Sequence, residues 1–185
     1  MLKKVILVSN TTNILLAGFG GQGILFAGKV IAYAGLMDGM EVSWLPSYGP
    51  EMRGGTANCS VCLSSAPIGS PQVVTPDVLI AMNLPSLDKF MDAVVPGGLI
   101  LVDSSLIDKK VERTDVKTIY IPATKIAEDS GFKGMANMIM VGKLFSEIKF
   151  CTDESLDKGI LKSVPPKKEK LIDSNRGAVK VGMES

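Results

Sequence analysis

Histidine is absent from all 185 residues. That absence removes Ser-His-Asp and Cys-His nucleophile pairs, imidazole acid–base catalysis, histidine-ligated haem and every zinc site that needs an imidazole. Cysteine is scarce too. Cys59, Cys62 and Cys151 make an odd set that cannot all pair, and unpaired thiols fit a reducing cytoplasm better than an oxidising exterior. Neither sign of charge prevails: 20 Lys and Arg stand against 19 Asp and Glu, so no chain-wide field points to nucleic acid. The one local bias is over residues 162–185, where six basic residues meet three acidic ones; a solvated tail and a segment facing an anionic partner are both consistent with it. No hydrophobic run is long and clean enough to cross a bilayer. The apolar stretch 14–37 is interrupted by Gln22, Lys29 and the glycines of 18–23, which would leave backbone groups unsatisfied in lipid. The apolar run 5–8 is too short for the core of a signal peptide.

Hydrophobic residues supply 46% and charged residues 21% of the chain, an ordinary globular balance, and the length fits one domain. Strand-like and helix-like stretches alternate. Residues 13–17, 78–82 and 99–102 are short continuous apolar runs of the kind buried on both faces of a parallel sheet. Residues 41–45, 56–64 and 118–121 read as further strands. Helical spacing marks 22–37 and 135–148, with shorter helices predicted over 86–93 and 154–161. The succession of 41–45 and 56–64 with no helix between them predicts an antiparallel member. The pattern is an α/β fold, a three-layer Rossmann-like sandwich with a mixed, mainly parallel sheet. Residues 1–12 read as an N-terminal extension, 13–150 as the core and 151–185 as a C-terminal helical arm, the last twenty residues lying apart from the core.

Three motifs carry chemical information. Gly18-Phe19-Gly20-Gly21-Gln22-Gly23 follows a predicted strand and opens a predicted helix, which is the spacing and context of a glycine-rich anion-binding turn. Glycine permits the tight bend and lets an anion approach free N–H groups at the helix start. An NAD site also needs an acid at the end of the second strand, where Leu45-Pro46-Ser47 stands instead. Dinucleotide binding, binding of phosphate or another anion, and a purely structural turn remain open. Cys59-Ser60-Val61-Cys62 has C-x-x-C spacing, but residues three apart on a strand point to opposite faces. With one other cysteine and no histidine, the chain cannot build a four-ligand cluster alone. Ser47-Tyr48-Gly49-Pro50-Glu51-Met52-Arg53-Gly54-Gly55 gathers an aromatic, an acid and a base at the exit of a strand, where α/β proteins place binding loops. A rigid loop held by Glu51 and Arg53 is the structural alternative.

Taken as a set, the glycine turn, the 47–55 loop, Asn58-Cys59 and Ile80-Ala81-Met82-Asn83-Leu84-Pro85-Ser86-Leu87-Asp88-Lys89-Phe90 resemble the gamma subunit of 2-oxoacid:ferredoxin oxidoreductases. Pro96-Gly97-Gly98-Leu99, Ser104-Ser105, Asn137-Met138-Ile139-Met140-Val141-Gly142 and Asn175-Arg176-Gly177-Ala178 continue the resemblance from about residue 14 to residue 182. The resemblance implies a cytoplasmic hetero-oligomer with alpha and beta subunits and, in some forms, a ferredoxin-like delta subunit. It also implies oxidative decarboxylation of a 2-oxoacid with coenzyme A and ferredoxin. Thiamine diphosphate, Mg2+ and iron–sulfur clusters then belong to partner subunits, and this chain is inert alone and open to self-association. The substrate implied first is 2-oxoglutarate, giving succinyl-CoA, with branched-chain 2-oxoacids and pyruvate as alternatives. A free-standing nucleotide- or CoA-binding module is the competing reading. Neither a catalytic residue nor a metal ligand is expected here. The candidate contacts are Gly18, Gly20, Gly21, Gln22 and Gly23 for an anion or coenzyme A, Tyr48, Glu51 and Arg53 for an interface or coenzyme A, and Asn137.

Overall fold

The computed structural model of the protein describes residues 11–47 and 56–185. Among these residues six strands form one sheet: β1 (Thr11–Phe19), β2 (Glu41–Ser47), β3 (Thr56–Ser64), β4 (Val78–Ala81), β5 (Leu99–Asp103) and β6 (Lys117–Ile121). Their spatial order is β2-β3-β1-β4-β5-β6. The pairings β1–β4, β4–β5 and β5–β6 are parallel, whereas β3 runs antiparallel to both β1 and β2. The mixed, mainly parallel sheet of the sequence reading is therefore present, with β3 as its antiparallel member. Every residue of β4 and β5 is buried, the expected consequence of a continuous apolar run covered on both faces.

Six α-helices occur among the described residues: α1 (Ile24–Met37), α2 (Leu84–Phe90), α3 (Ala123–Asp129), α4 (Ala136–Ile148), α5 (Asp153–Ser163) and α6 (Ile172–Glu184). On one face of the sheet α1, α3, α4, α5 and α6 cover Ile14, Leu16, Val61, Ile80 and Leu101. On the other face Leu15, Leu79, Ile100 and Val102 pack against Leu87 of α2, Val94 and Ile107. That second layer is thin and its loop is latched by side chains. The Arg113 guanidinium donates to the carbonyls of Met91 at 2.9 Å and Val94 at 2.7 Å, and the Tyr120 hydroxyl accepts from the Val111 N–H at 2.7 Å.

Four details differ from the sequence reading. β1 begins at Thr11, so the strand takes in the end of the stretch read as an extension. The helix predicted over 86–93 divides into α2 and a 3₁₀ turn at Met91–Ala93. α3, which has little apolar periodicity, follows Pro122, and its first turn is held by the Asp103 carboxylate, which accepts from the Thr124 N–H and hydroxyl. The last twenty residues do not stand apart as an arm: Ala178, Val179 and Gly182 of α6 are buried in the core. Their small side chains weaken the hydrophobic pattern that periodicity detects, yet small size is what the packing requires. A Cβ at Gly182 would strike the Ile139 carbonyl, and one at Gly142 would strike the Val179 carbonyl. α4 and α6 consequently cross almost backbone to backbone.

Candidate functional site

Loops at the carboxyl ends of the parallel strands converge around the glycine turn, the usual place for ligands in a sheet of this kind. Gly21 and Gly23 have φ values of 96° and 73°, which L side chains rarely adopt. Gly18 serves a different need: a Cβ there would lie 2.6 Å from Gln22 Oε1 and 3.1 Å from Met82 Cβ. The Gln22 amide is spent on backbone. Its oxygen accepts from the Phe19 N–H at 2.6 Å, and its nitrogen donates to the Met82 carbonyl at 2.8 Å, fastening the turn to the end of β4. Asn137 fastens the other end, its Nδ2 donating to the Gly23 carbonyl at 3.0 Å. The sequence candidates Gly18, Gly20, Gly21, Gln22, Gly23 and Asn137 are thus brought together. Tyr48, Glu51 and Arg53 lie outside the described residues.

The turn opens α1 without a side-chain cap and without an acidic residue in the first turn, and α4 begins in the same way. Two uncapped helix starts bring partial positive charge to this end of the sheet. Two cavities adjoin them and meet at Gly134. One, of about 280 Å³, touches Gly21, Gln22, Met82, Thr124, Glu128 and Lys133. The other, of about 320 Å³, lies beyond Gly23 between α1, α4 and the segment leading into α6. Asp103, fully buried at the end of β5, also accepts from the Ser105 N–H at 3.1 Å. Its oxygens are taken up by the turn after β5 and by the first turn of α3, which makes it a structural tie between β5 and α3. Spacing gave no warning of that role, because Asp103 and Thr124 lie on different elements.

A dinucleotide crevice of the NAD type is not formed. β3 separates β1 from β2, so the end of β2 does not lie beside the glycine turn, and the described residues of that end carry no acid. Among the described residues no group of three or more His, Cys, Asp or Glu side chains could hold a metal ion. Cys59 pairs across the sheet with Leu16, and Cys62 with Asn13, so the two thiols occupy opposite faces as their spacing predicts. Both are buried. Burial pushes the Cys59 thiol up to about 12; burial and then the nearby Asp38 and Asp153 carboxylates do the same for Cys151. Thiols so protonated are poor nucleophiles and poor metal ligands at neutral pH. Among the described residues no helix is long and apolar enough to cross a membrane.

Comparison with known proteins gives a consistent result. The family model described as pyruvate ferredoxin/flavodoxin oxidoreductase matches residues 13–185. The ketoisovalerate oxidoreductase subunit VorA of Methanothermobacter thermautotrophicus is 42% identical over 91% of this chain, which spans only 35% of that relative's length. The 2-oxoglutarate synthase subunit KorC of Methanocaldococcus jannaschii is 41% identical over 82% of this chain and 83% of its own. The crystal structure of the keto/oxoacid ferredoxin oxidoreductase gamma subunit from Geobacter sulfurreducens superposes with a TM-score of 0.80 at 29% identity, covering 94% of this chain and 96% of that one. A chain of the 2-oxoglutarate:ferredoxin oxidoreductase from Magnetococcus marinus, solved with 2-oxoglutarate, coenzyme A and succinyl-CoA bound, superposes with a TM-score of 0.84 at 25% identity. That match covers 95% of this chain and 31% of the other.

Proposed function

The chain belongs to the pyruvate ferredoxin/flavodoxin oxidoreductase family, and from that premise we propose that it is the gamma subunit of a cytoplasmic 2-oxoacid:ferredoxin oxidoreductase. The observation that carries the reading is the nearly end-to-end superposition on a gamma subunit. The inventory of side chains supports it. With no histidine in the chain and its cysteines buried, this subunit supplies shape and contacts, and the alpha and beta subunits, with a ferredoxin-like delta subunit where present, supply thiamine and iron–sulfur chemistry. Its exposed apolar surface supports assembly as well. Trp44 and Leu45 on β2 and Leu36 and Met37 on α1 are exposed beside a strand whose outer edge is unpaired among the described residues, and natural proteins seldom leave such edges bare.

Of the groups the complex uses, coenzyme A is the one whose chemistry matches this surface. Its phosphates suit the positive end of α1 behind the glycine turn and the Lys133 ammonium, which shares the 280 Å³ cavity with the Glu128 carboxylate. In this reading Arg53 meets a phosphate or carboxylate, Tyr48 stacks or hydrogen-bonds, and Glu51 holds the loop or contacts a partner. Reconstitution with Arg53→Ala tests this: a raised KM for coenzyme A or weakened assembly is expected, and unchanged kinetics with unchanged assembly would remove it.

The substrate we favour is 2-oxoglutarate, because the KorC relative matches as a protein of similar length. A branched-chain 2-oxoacid is the second reading, favoured by the 42% identity to a ketoisovalerate oxidoreductase subunit. Ferredoxin reduction by the assembled complex, measured with 2-oxoglutarate, 3-methyl-2-oxobutanoate and pyruvate in turn, separates them by kcat/KM.

A further inference from the structure

The 320 Å³ cavity beyond Gly23 is lined by Asn137 and Asn175, which are 5% and 4% exposed. Each spends its amide nitrogen on a backbone carbonyl: Asn137 Nδ2 donates to Gly23 at 3.0 Å and Asn175 Nδ2 to Leu171 at 2.6 Å. A carbonyl only accepts, so the nitrogen of each planar amide is obliged to face it. Both Oδ1 atoms are left as acceptors without a hydrogen-bond partner among the described residues, on two buried side chains that wall the same space. Two unpaired acceptors on otherwise buried side chains, open to the same cavity, are placed to take donors from a ligand or from water.

The remaining walls define what such a ligand looks like. Phe26, Val164 and Leu171 make much of the lining apolar. The uncapped first turn of α4, beginning at Ala136, offers N–H groups beside Asn137. Lys168 stands at the rim with no ion pair among the described residues, and no acidic side chain lines the cavity. The site therefore matches an anion at one end, an aliphatic body, and a hydrogen-bond donor beside the anion.

We propose that this cavity binds a small aliphatic carboxylate carrying a hydrogen-bond donor on carbon 2, that is, a 2-amino or 2-hydroxy acid, and discriminates against the corresponding 2-oxoacid. The carboxylate meets Lys168 and the start of α4, the chain lies among Phe26, Val164 and Leu171, and the donor serves the amide oxygens, an ammonium reaching both Asn137 and Asn175 and a hydroxyl one of them. A keto oxygen in the same place would set acceptor against acceptor and displace the water that otherwise serves the two amide oxygens, which weakens binding by about tenfold or more. This reading concerns the chain alone and stands apart from its role as a subunit.

Titration calorimetry on the full chain tests it with three isosteric probes: L-leucine, 2-hydroxy-4-methylpentanoate and 4-methyl-2-oxopentanoate. The amino or the hydroxy acid is expected to saturate with a Kd about tenfold or more below that of the oxoacid. Whichever of the two does so identifies the source of the donor. Lys168→Gln, at an exposed position where folding is not at stake, should weaken the better probe by about threefold to fivefold. Absence of saturation by all three up to about 50 mM, well above the millimolar range of weak small-molecule sites, would overturn the proposal. So would equal affinity for the oxoacid, or a Lys168→Gln variant that binds as the parent does.

Discussion

The face of the sheet beneath α1, α4, α5 and α6 is closed by helices that touch at glycines, whereas the opposite face is covered by α2 and a loop fastened with polar side chains. On the first face a Cβ at Gly142, Gly182 or Gly159 would run into the backbone of the facing helix. On the second, Arg113 and Tyr120 hold the cover by hydrogen bonds to backbone. The helical face thus tolerates nothing larger, and the loop face tolerates no lost donor. The difference extends to function. The helical side carries the two uncapped helix starts and both cavities, while the main-chain groups at the loop latches already have partners. Capacity to bind is therefore concentrated on the side whose packing is tightest, where a ligand meets a rigid frame.

Enlarging a crossing glycine should produce the largest effect. Gly182→Leu is expected to cost about 3 kcal/mol or more, because the facing backbone cannot move aside as a side-chain tip would. Urea unfolding measures it, and a loss below about 1 kcal/mol would show that α4 and α6 do not meet as described. Asp103→Ala comes next. It strips acceptors from the Ser105 and Thr124 N–H groups and from the Thr124 hydroxyl, with an expected loss of about 2 to 3 kcal/mol. Arg113→Ala loosens only the loop cover and should cost less than Asp103→Ala, with amide exchange rising over residues 104–116 and not in α4 or α6. Equal acceleration on both faces would erase the distinction between them.

Acid gives the smallest effect. Burial raises the Glu147 pKa, but the Lys117 and Lys143 ammonium groups outweigh it and hold the carboxyl below its ordinary range. The Arg176 guanidinium does the same for Asp157. A carboxylate depressed in the folded state adds stability that is fully present above its unfolded value, about 4, and is lost as pH falls through the folded value. Asp157 is well exposed, so screening leaves it little weight. The expected loss is about 1 kcal/mol, mainly from Glu147. Glu147→Gln should flatten the pH dependence of unfolding below pH 5, and an unaltered slope would assign it to other groups.

Much of this was legible in the sequence. Continuous apolar runs located β4 and β5, helical spacing located α1 and α4, and the glycine turn declared itself by spacing and context. The helical character of the C-terminal segment was read, but the packing of α6 into the core escaped because its buried face is Asn175, Ala178, Val179 and Gly182, mostly small residues, which periodicity in hydrophobicity does not weigh. α3 escaped because its start is held by Asp103, a residue of β5 some twenty positions earlier. Asn137 was visible as a candidate, but its bond to Gly23 spans more than a hundred residues, and its pairing with Asn175 around one cavity exists only once α4 and α6 have crossed.

The central claim, that this chain lends form to chemistry housed in partner subunits, is tested most directly by isolating the tagged chain from its native host. Mass spectrometry should find larger subunits with it and thiamine diphosphate in the assembly, and the preparation should reduce ferredoxin only when a 2-oxoacid and coenzyme A are both present. A chain recovered alone, with a nucleotide bound and no such activity in the pool, would contradict the account.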